Sequence, residues 1–268
     1  MLTLRTRHAT ATANPYGAQV LSFIPKGGED ILWQTTPDIL AEAERGGNAL
    51  RGGIPICWPW FRTHPTMPEA PSHGLVRTAV WTLESEAYAP DHATIIFTMD
   101  TDGNHPAFPH KARARLAITL TGSLLLQLTT TNTGATPMPL TQALHTYLRV
   151  SDVSAVIVEG LEGLPRRHIS SWADQAPHQV LRIEGEIEHL YKGVKRPIHV
   201  EDKTRTLTVE TTSEQVVIWN PWSEKAKALD MPADGYKTML CIEAVNIEPA
   251  LSIAPGSSHT LATQISVR

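Results

Sequence analysis

Cysteine is scarce: the 268 residues include only two, Cys57 and Cys241. A secreted disulfide scaffold uses many more, and a chain of this length buries a core without covalent staples. Reduced thiols in a cytoplasmic protein are therefore expected. Long apolar runs are lacking too. Those present, such as residues 124–126 and 216–219, are a few positions each, against the ~18 that a membrane-spanning helix needs. Residues 1–20 have no apolar h-region, so neither a secretory signal nor a membrane partner is expected. Positive charge is not in excess. The 23 Lys and Arg are outnumbered by 27 Asp and Glu, for a net charge of −4. This speaks against a general nucleic-acid binder, which carries a basic stripe. It leaves room for a small basic pocket that holds an anion.

Several motifs are missing as well. There is no Gly-x-Gly-x-x-Gly, Walker loop or Gly-x-Ser-x-Gly, so a dinucleotide cradle, a P-loop and a serine-hydrolase elbow are unsupported. Twelve histidines are present. None forms a His-Glu-x-x-His helix or joins a Cys-x-x-Cys pair, so no metal and no other cofactor is expected.

What the chain does have is period two. From residue 113 to 121, Arg113, Arg115, Ala117 and Thr119 alternate with Ala114, Leu116, Ile118 and Leu120, which reads as a half-buried strand. Gly122-Ser123 then separates it from residues 124–132, where Leu124, Leu126 and Leu128 share a face, and the pair reads as a hairpin. Similar runs lie at residues 19–25, 93–99, 154–159, 206–211, 215–220, 239–247 and 259–267. Thr and Val dominate them, which suits strands. Helical signals are few: Thr36-Pro37-Asp38 opens a short helix ending at Gly46-Gly47, and residues 223–229 suit another turn or two. Twenty Pro and seventeen Gly punctuate the rest. Many short strands with frequent turns predict an all-β fold, a large antiparallel sandwich with a few short helices. No repeat or linker divides the chain, so residues 1–268 are expected to form a single domain.

Three segments break the alternation, and local departures of this kind mark functional positions. The first holds Arg51, Gly52, Gly53, Trp58, Trp60 and Phe61, then His73 and Arg77. Its aromatics suit either a sugar-ring wall or a dense core. Its glycines allow close backbone approach. Arg51 and Arg77 suit either bidentate phosphate binding or pairing with carboxylates. Residues 62–72, rich in Pro, read either as an ordered loop over a site or as a merely exposed loop. The second segment places His145 among apolar and small residues, where an imidazole serves either as a proton shuttle or as a satisfied core group. The third places Glu243 inside a strand pattern, as a desolvated base or as an edge glutamate facing water. Cys57, beside Pro55 and Trp58, reads as a packed thiol.

Taken together, five stretches resemble the hexose-6-phosphate mutarotases (glucose-6-phosphate 1-epimerases), a branch of the aldose 1-epimerase family. They are Arg51-Gly-Gly-Ile-Pro-Ile-Cys-Trp-Pro-Trp-Phe61, Ser72-His-Gly-Leu-Val-Arg77, Leu144-His-Thr-Tyr-Leu148, Val217-Ile-Trp-Asn-Pro-Trp222 and Met239-Leu-Cys-Ile-Glu243. The resemblance implies a sandwich with its site on a concave face and a cofactor-independent exchange of α and β anomers. It implies Glu243 as the base on the C1 hydroxyl and His145 as the acid on the ring oxygen. It implies Arg51 and Arg77 on the 6-phosphate, with His73 and Asp174 on the sugar. Where the family carries Asp-Arg before a hydrophobic residue and Tyr, this chain has Glu188-His-Leu-Tyr191. Lys225 is a further candidate for the phosphate. The implied partner is a small sugar phosphate bound by a monomer. A non-catalytic sugar-phosphate-binding or regulatory module is the alternative, though a pure binder needs no acid–base pair. A glycoside-cleaving enzyme would need a second carboxylate, for which Asp174 and Glu188 are the candidates.

Overall fold

The computed structural model describes residues 1–268. Three antiparallel sheets account for most of the chain. A small sheet comprises Leu2–Arg5, Ala9–Asn14 and Gln19–Pro25. One eight-stranded sheet runs in the order Ile157–Glu159, Ile198–Asp202, Arg205–Thr211, Ser258–Val267, Leu124–Asn132, Lys111–Leu120, His92–Asp102 and Thr82–Ala89. The other runs Ala173–Gln175, Arg166–His168, Ile187–Lys192, Gln215–Asn220, Met239–Ile253, Met138–Leu144 and Ile56–Cys57, with Tyr147–Arg149 also pairing to Met239–Ile253. The antiparallel β fold class expected from the periodicity is what is found.

Period-two alternation decides which side chains meet. In Lys111–Leu120 the buried residues are Ala112, Ala114, Leu116, Ile118 and Leu120, and the positions between them are more exposed. These join a core of 54 buried residues that spans Leu4 to Ile265. The sheet around Met239–Ile253 contributes Leu240, Ile242 and Ala244, with Val216 and Ile218 from the neighbouring strand. The intervening positions, Cys241 and Val245 with Val217 and Trp219, belong to a separate cluster of 14 buried residues. This sheet is therefore apolar on both faces, and Glu243 stands in register with the second face.

Several boundaries differ from the sequence reading. The strand expected over 154–159 is only Ile157–Glu159. Asp152 accepts bonds from the Ser154 N–H and hydroxyl, which folds the preceding residues into a turn. The strand expected to stop at residue 247 continues to Ile253, with an irregularity between Asn246 and Leu251 that contains Pro249. Proline lacks the N–H that a regular ladder would require there. The first helix is Pro37–Arg45, with Pro in its first turn, and buries none of its residues. The second is Trp222–Ala226, shorter than expected. Thr82–Ala89 was not foreseen: all eight residues are exposed, so it has no alternation to read. No helix is long and apolar enough to cross a membrane.

Candidate active site

Arg51, His73, Arg77, His145 and Glu243 line one cavity of about 380 Å³. Glu243 lies opposite Val217 on the second face of its sheet. His145 follows the strand Met138–Leu144, whose last residue pairs with Ala244 on one side and Ile56 on the other. The His145 N–H donates to the Pro55 carbonyl at 3.0 Å. These ladders bring together two side chains far apart in sequence: His145 Nε2 lies 3.5 Å from Glu243 Oε1. Both are buried, with relative exposures of 8% and 1%, so Glu243 is not an edge residue facing water. Tyr147 stacks flat on the His145 ring at 4.7 Å, and Trp219 meets it edge-on at 5.9 Å.

The glycines of the first segment approach protein backbone. A Cβ on Gly52 would lie 2.3 Å from Gln34 Cα, and one on Gly74 would lie 1.9 Å from the Trp58 carbonyl oxygen. Only glycine fits at such contacts. The second contact holds residues 72–74 against residues 58–59. His73 is thereby fixed, with its Nδ1 accepting the Arg62 N–H at 3.3 Å and its ring 5.9 Å from that of His145. Trp58 and Trp60 are core residues, donating to Thr130 Oγ1 and the Pro71 carbonyl; neither lines the cavity. The aromatic walls are Phe61, Tyr147 and Trp219. The loop expected over a site does reach it, through Arg62, Thr63 and Ser72.

Asp174 stands apart from the cavity. It sits on the outermost strand of the sheet, 80% exposed, with Arg167 Nε 2.7 Å from Oδ1. Glu188 and Lys225 do line the cavity. Glu188 accepts from Ser170 Oγ at 2.6 Å and lies 3.5 Å from both Arg62 Nη2 and Lys225 Nζ. Sequence reasoning did not find Arg62 as a site residue, although it directly follows the first dense segment.

Electrostatics in the cavity follow from burial and from its cations. Burial, with His73 and the Arg77 and Arg51 guanidiniums nearby, holds the His145 imidazole well below the usual histidine range. Burial together with the Glu188 carboxylate pushes Glu243 well above the usual carboxylate range, against the pull of Arg77 and Arg62. His73 is likewise held down, by burial and by the same three arginines. Burial drives the Cys57 thiol up to about 12, so it is a packed thiol, not a nucleophile. Four buried polar atoms here have no partner: Arg51 Nε, Arg77 Nε, His145 Nδ1 and Glu243 Oε2. Buried polar atoms are rarely left unpaired, and these four belong to residues that line the cavity.

The family model for aldose 1-epimerases matches residues 1–266. The chain belongs to the aldose 1-epimerase family. It is 32% identical over 266 residues to a "Putative glucose-6-phosphate 1-epimerase" of Cenchrus ciliaris, covering 93% of this chain and 79% of that one. It is 29% identical to a protein of the same name from Escherichia coli, covering 94% and 84%. The crystal structure of a "putative mutarotase" from Salmonella typhimurium superposes with a TM-score of 0.87 at 27% identity, covering 99% and 89%. A "galactose mutarotase related enzyme" from Lactobacillus acidophilus, at 13% identity and a TM-score of 0.76, shares the fold. The aldose 1-epimerase family makes this an epimerase of the mutarotase type, and its fold is that of the galactose mutarotases.

Proposed function

We propose that this epimerase interconverts the α and β anomers of a hexose 6-phosphate, glucose 6-phosphate first among them, with His145 and Glu243 as the acid–base pair. The observation that carries this reading is the ring of charge around the buried pair. Arg51, Arg62, Arg77 and Lys225 line the cavity against two carboxylates, Glu188 and Glu243. A protein of net charge −4 thus concentrates positive charge where a phosphate dianion would enter.

The reaction needs one group to take the proton from the C1 hydroxyl and another to give one to the ring oxygen. As the O1–H electrons form the C1=O double bond, the C1–O5 bond breaks and O5 takes up a proton. Rotation about C1–C2 in the open aldehyde presents the other face of the carbonyl, and closure with the roles reversed gives the second anomer. The family resemblance assigns the base to Glu243 and the acid to His145, an arrangement with carboxylate and imidazolium. Burial alone favours the other distribution, with the proton on Glu243 and a neutral His145. Both distributions hold one proton, so pH does not convert one into the other; a single transfer across the 3.5 Å gap does. Each such group typically contributes ~10²–10⁴-fold.

Arg51 and Arg77, which both line the cavity, are proposed to grip the phosphate, since a guanidinium matches phosphate oxygens bidentately. His73, neutral and accepting at Nδ1, carries its proton on Nε2 and is proposed to donate to a sugar hydroxyl. Glu188 is proposed as the sugar-binding acid in place of Asp174, because it alone of the two faces the cavity. The test is anomer exchange measured by NMR magnetisation transfer. Faster exchange of glucose 6-phosphate than of free glucose is expected. Equal acceleration of both sugars would remove the phosphate assignment, and none at all would favour a binding module.

A further inference from the structure

The sequence offers no metal-ligand spacing, yet the fold assembles a ligand set that includes two residues of the cavity wall. His145, Cys241 and Glu243 each present a donor atom, and all three atoms lie within 4.8 Å of one another. Cys241 and Glu243 are two apart on one strand and share its face, while His145 reaches in from the neighbouring strand end. We propose that these three residues form an inhibitory site for a thiophilic divalent cation of the Zn²⁺ class.

Three observations support it. Ligand atoms around tetrahedral zinc, at bond lengths of about 2.0–2.3 Å, are separated by roughly 3.5 Å. His145 Nε2 and Glu243 Oε1 already stand 3.5 Å apart, too far for a good hydrogen bond and at the spacing of two zinc ligands. The second carboxylate oxygen, Glu243 Oε2, is buried and has no partner. The Cys241 sulfur is the remaining donor, within 4.8 Å of the other two ligand atoms. An ion arriving through the cavity meets the imidazole and the carboxylate first, because both line its wall, whereas Cys241 is fully buried.

Binding is a proton exchange with no redox change. The Cys241 S–H bond breaks, its proton leaves to solvent, and the sulfur lone pair is donated to the cation. The bound set is then a tetrahedron with its fourth position open to the cavity. Thiolate and carboxylate together neutralise the two charges of the ion, which offsets the repulsion from Arg51 and Arg77 nearby. Turnover stops because the lone pairs that move protons are occupied. Only this inhibitory half rests on the anomer-exchange reading; the binding half does not.

The experiment titrates the purified protein with Cd²⁺, following the ultraviolet thiolate-to-metal charge-transfer band, and in parallel follows glucose 6-phosphate exchange with Zn²⁺ present. The expected result is a band in the native protein and in Cys57→Ser, its loss in Cys241→Ser, and loss of exchange in native protein but not in Cys241→Ser. Cadmium NMR of the unmutated protein, expected to report one sulfur ligand, gives the answer should Cys241→Ser fail to fold. No band, a band that survives Cys241→Ser, or a cadmium signal without sulfur would overturn the site. A band dependent on Cys241 in a protein with no exchange activity would uphold the site and overturn the functional reading instead.

Discussion

His145 Nε2 and Glu243 Oε1 face each other at 3.5 Å inside the protein without a hydrogen bond between them. A pair of this kind is costly to bury, since neither group is satisfied by the other. The remaining atoms, His145 Nδ1 and Glu243 Oε2, also lack partners. A stabilising pair would be closer and fully bonded. An open one has capacity left for a substrate's hydroxyl and ring oxygen between its members.

The first prediction concerns Glu243→Gln. The amide keeps the shape of the side chain but cannot cycle a proton. Exchange of glucose 6-phosphate anomers is expected to fall by roughly 10²–10⁴-fold while circular dichroism and thermal unfolding stay near those of the native protein. Retention of most of the activity would remove Glu243 from the proton path.

The protonation of the pair can be observed directly. With its affinity for protons depressed by burial, His73, Arg77 and Arg51, His145 is neutral in the free protein near neutral pH. A group held below the usual range gains its proton only as pH falls under that range. Histidine nitrogen NMR, assigned with His145→Gln, should show a neutral imidazole through neutrality. A cationic His145 there would instead support the ionised arrangement in the free protein.

Glu188 supplies a sign that can be tested. Its carboxylate is the second cause, after burial, that raises Glu243. When the single proton of the resting pair sits on Glu243, its loss sets the alkaline limb of the rate profile. Glu188→Gln removes the neighbouring negative charge, so Glu243 releases its proton more readily and that limb moves to lower pH. An unmoved or upward-moved limb in kcat/KM against pH would contradict this.

Gly74 makes a structural test of how His73 is held. Its φ is +87°, and a Cβ there would lie 1.9 Å from the Trp58 carbonyl oxygen. Gly74→Ala is expected to lower stability by about 1–3 kcal/mol from backbone strain alone, with the steric overlap adding to it. The urea unfolding midpoint reads this; an unchanged midpoint would mean that the turn tolerates a side chain.

Much of this architecture was legible in the sequence, for reasons that particular residues show. Residues 113–121 and 124–132 alternate cleanly because one face is buried and the other wet. Thr82–Ala89 could not be read, since it is exposed on both faces. Glu243 was legible as a polar residue inside an apolar strand, but not its face. That depends on a sheet that packs on both sides, where Val217 and Trp219 are as apolar as Val216 and Ile218. Asp174 was placed by motif position alone, and an outermost strand carries it away from the cavity. The set His145, Cys241 and Glu243 was invisible because strand pairing creates it, and no local spacing records that.

The last prediction separates phosphate recognition from chemistry. Arg51 and Arg77 each leave a buried Nε unpaired beside the acid–base pair, and Arg51 Nη1 also donates to the Tyr147 hydroxyl at 3.3 Å. Arg77 therefore offers the cleaner deletion, because Arg51→Ala also removes a partner from the ring that stacks on His145. Loss of a charge-assisted bond costs about 1.5–3 kcal/mol, or about ten- to a hundredfold in affinity. Arg77→Ala should raise KM for glucose 6-phosphate by that factor and leave KM for free glucose near its native value. The guanidinium also pulls on Glu243, so some change in kcat is expected for both sugars alike. The informative quantity is the ratio of the two kcat/KM values. A ratio that falls at least about tenfold assigns Arg77 to the phosphate, whereas an unchanged ratio means that its charge serves only the acid–base pair.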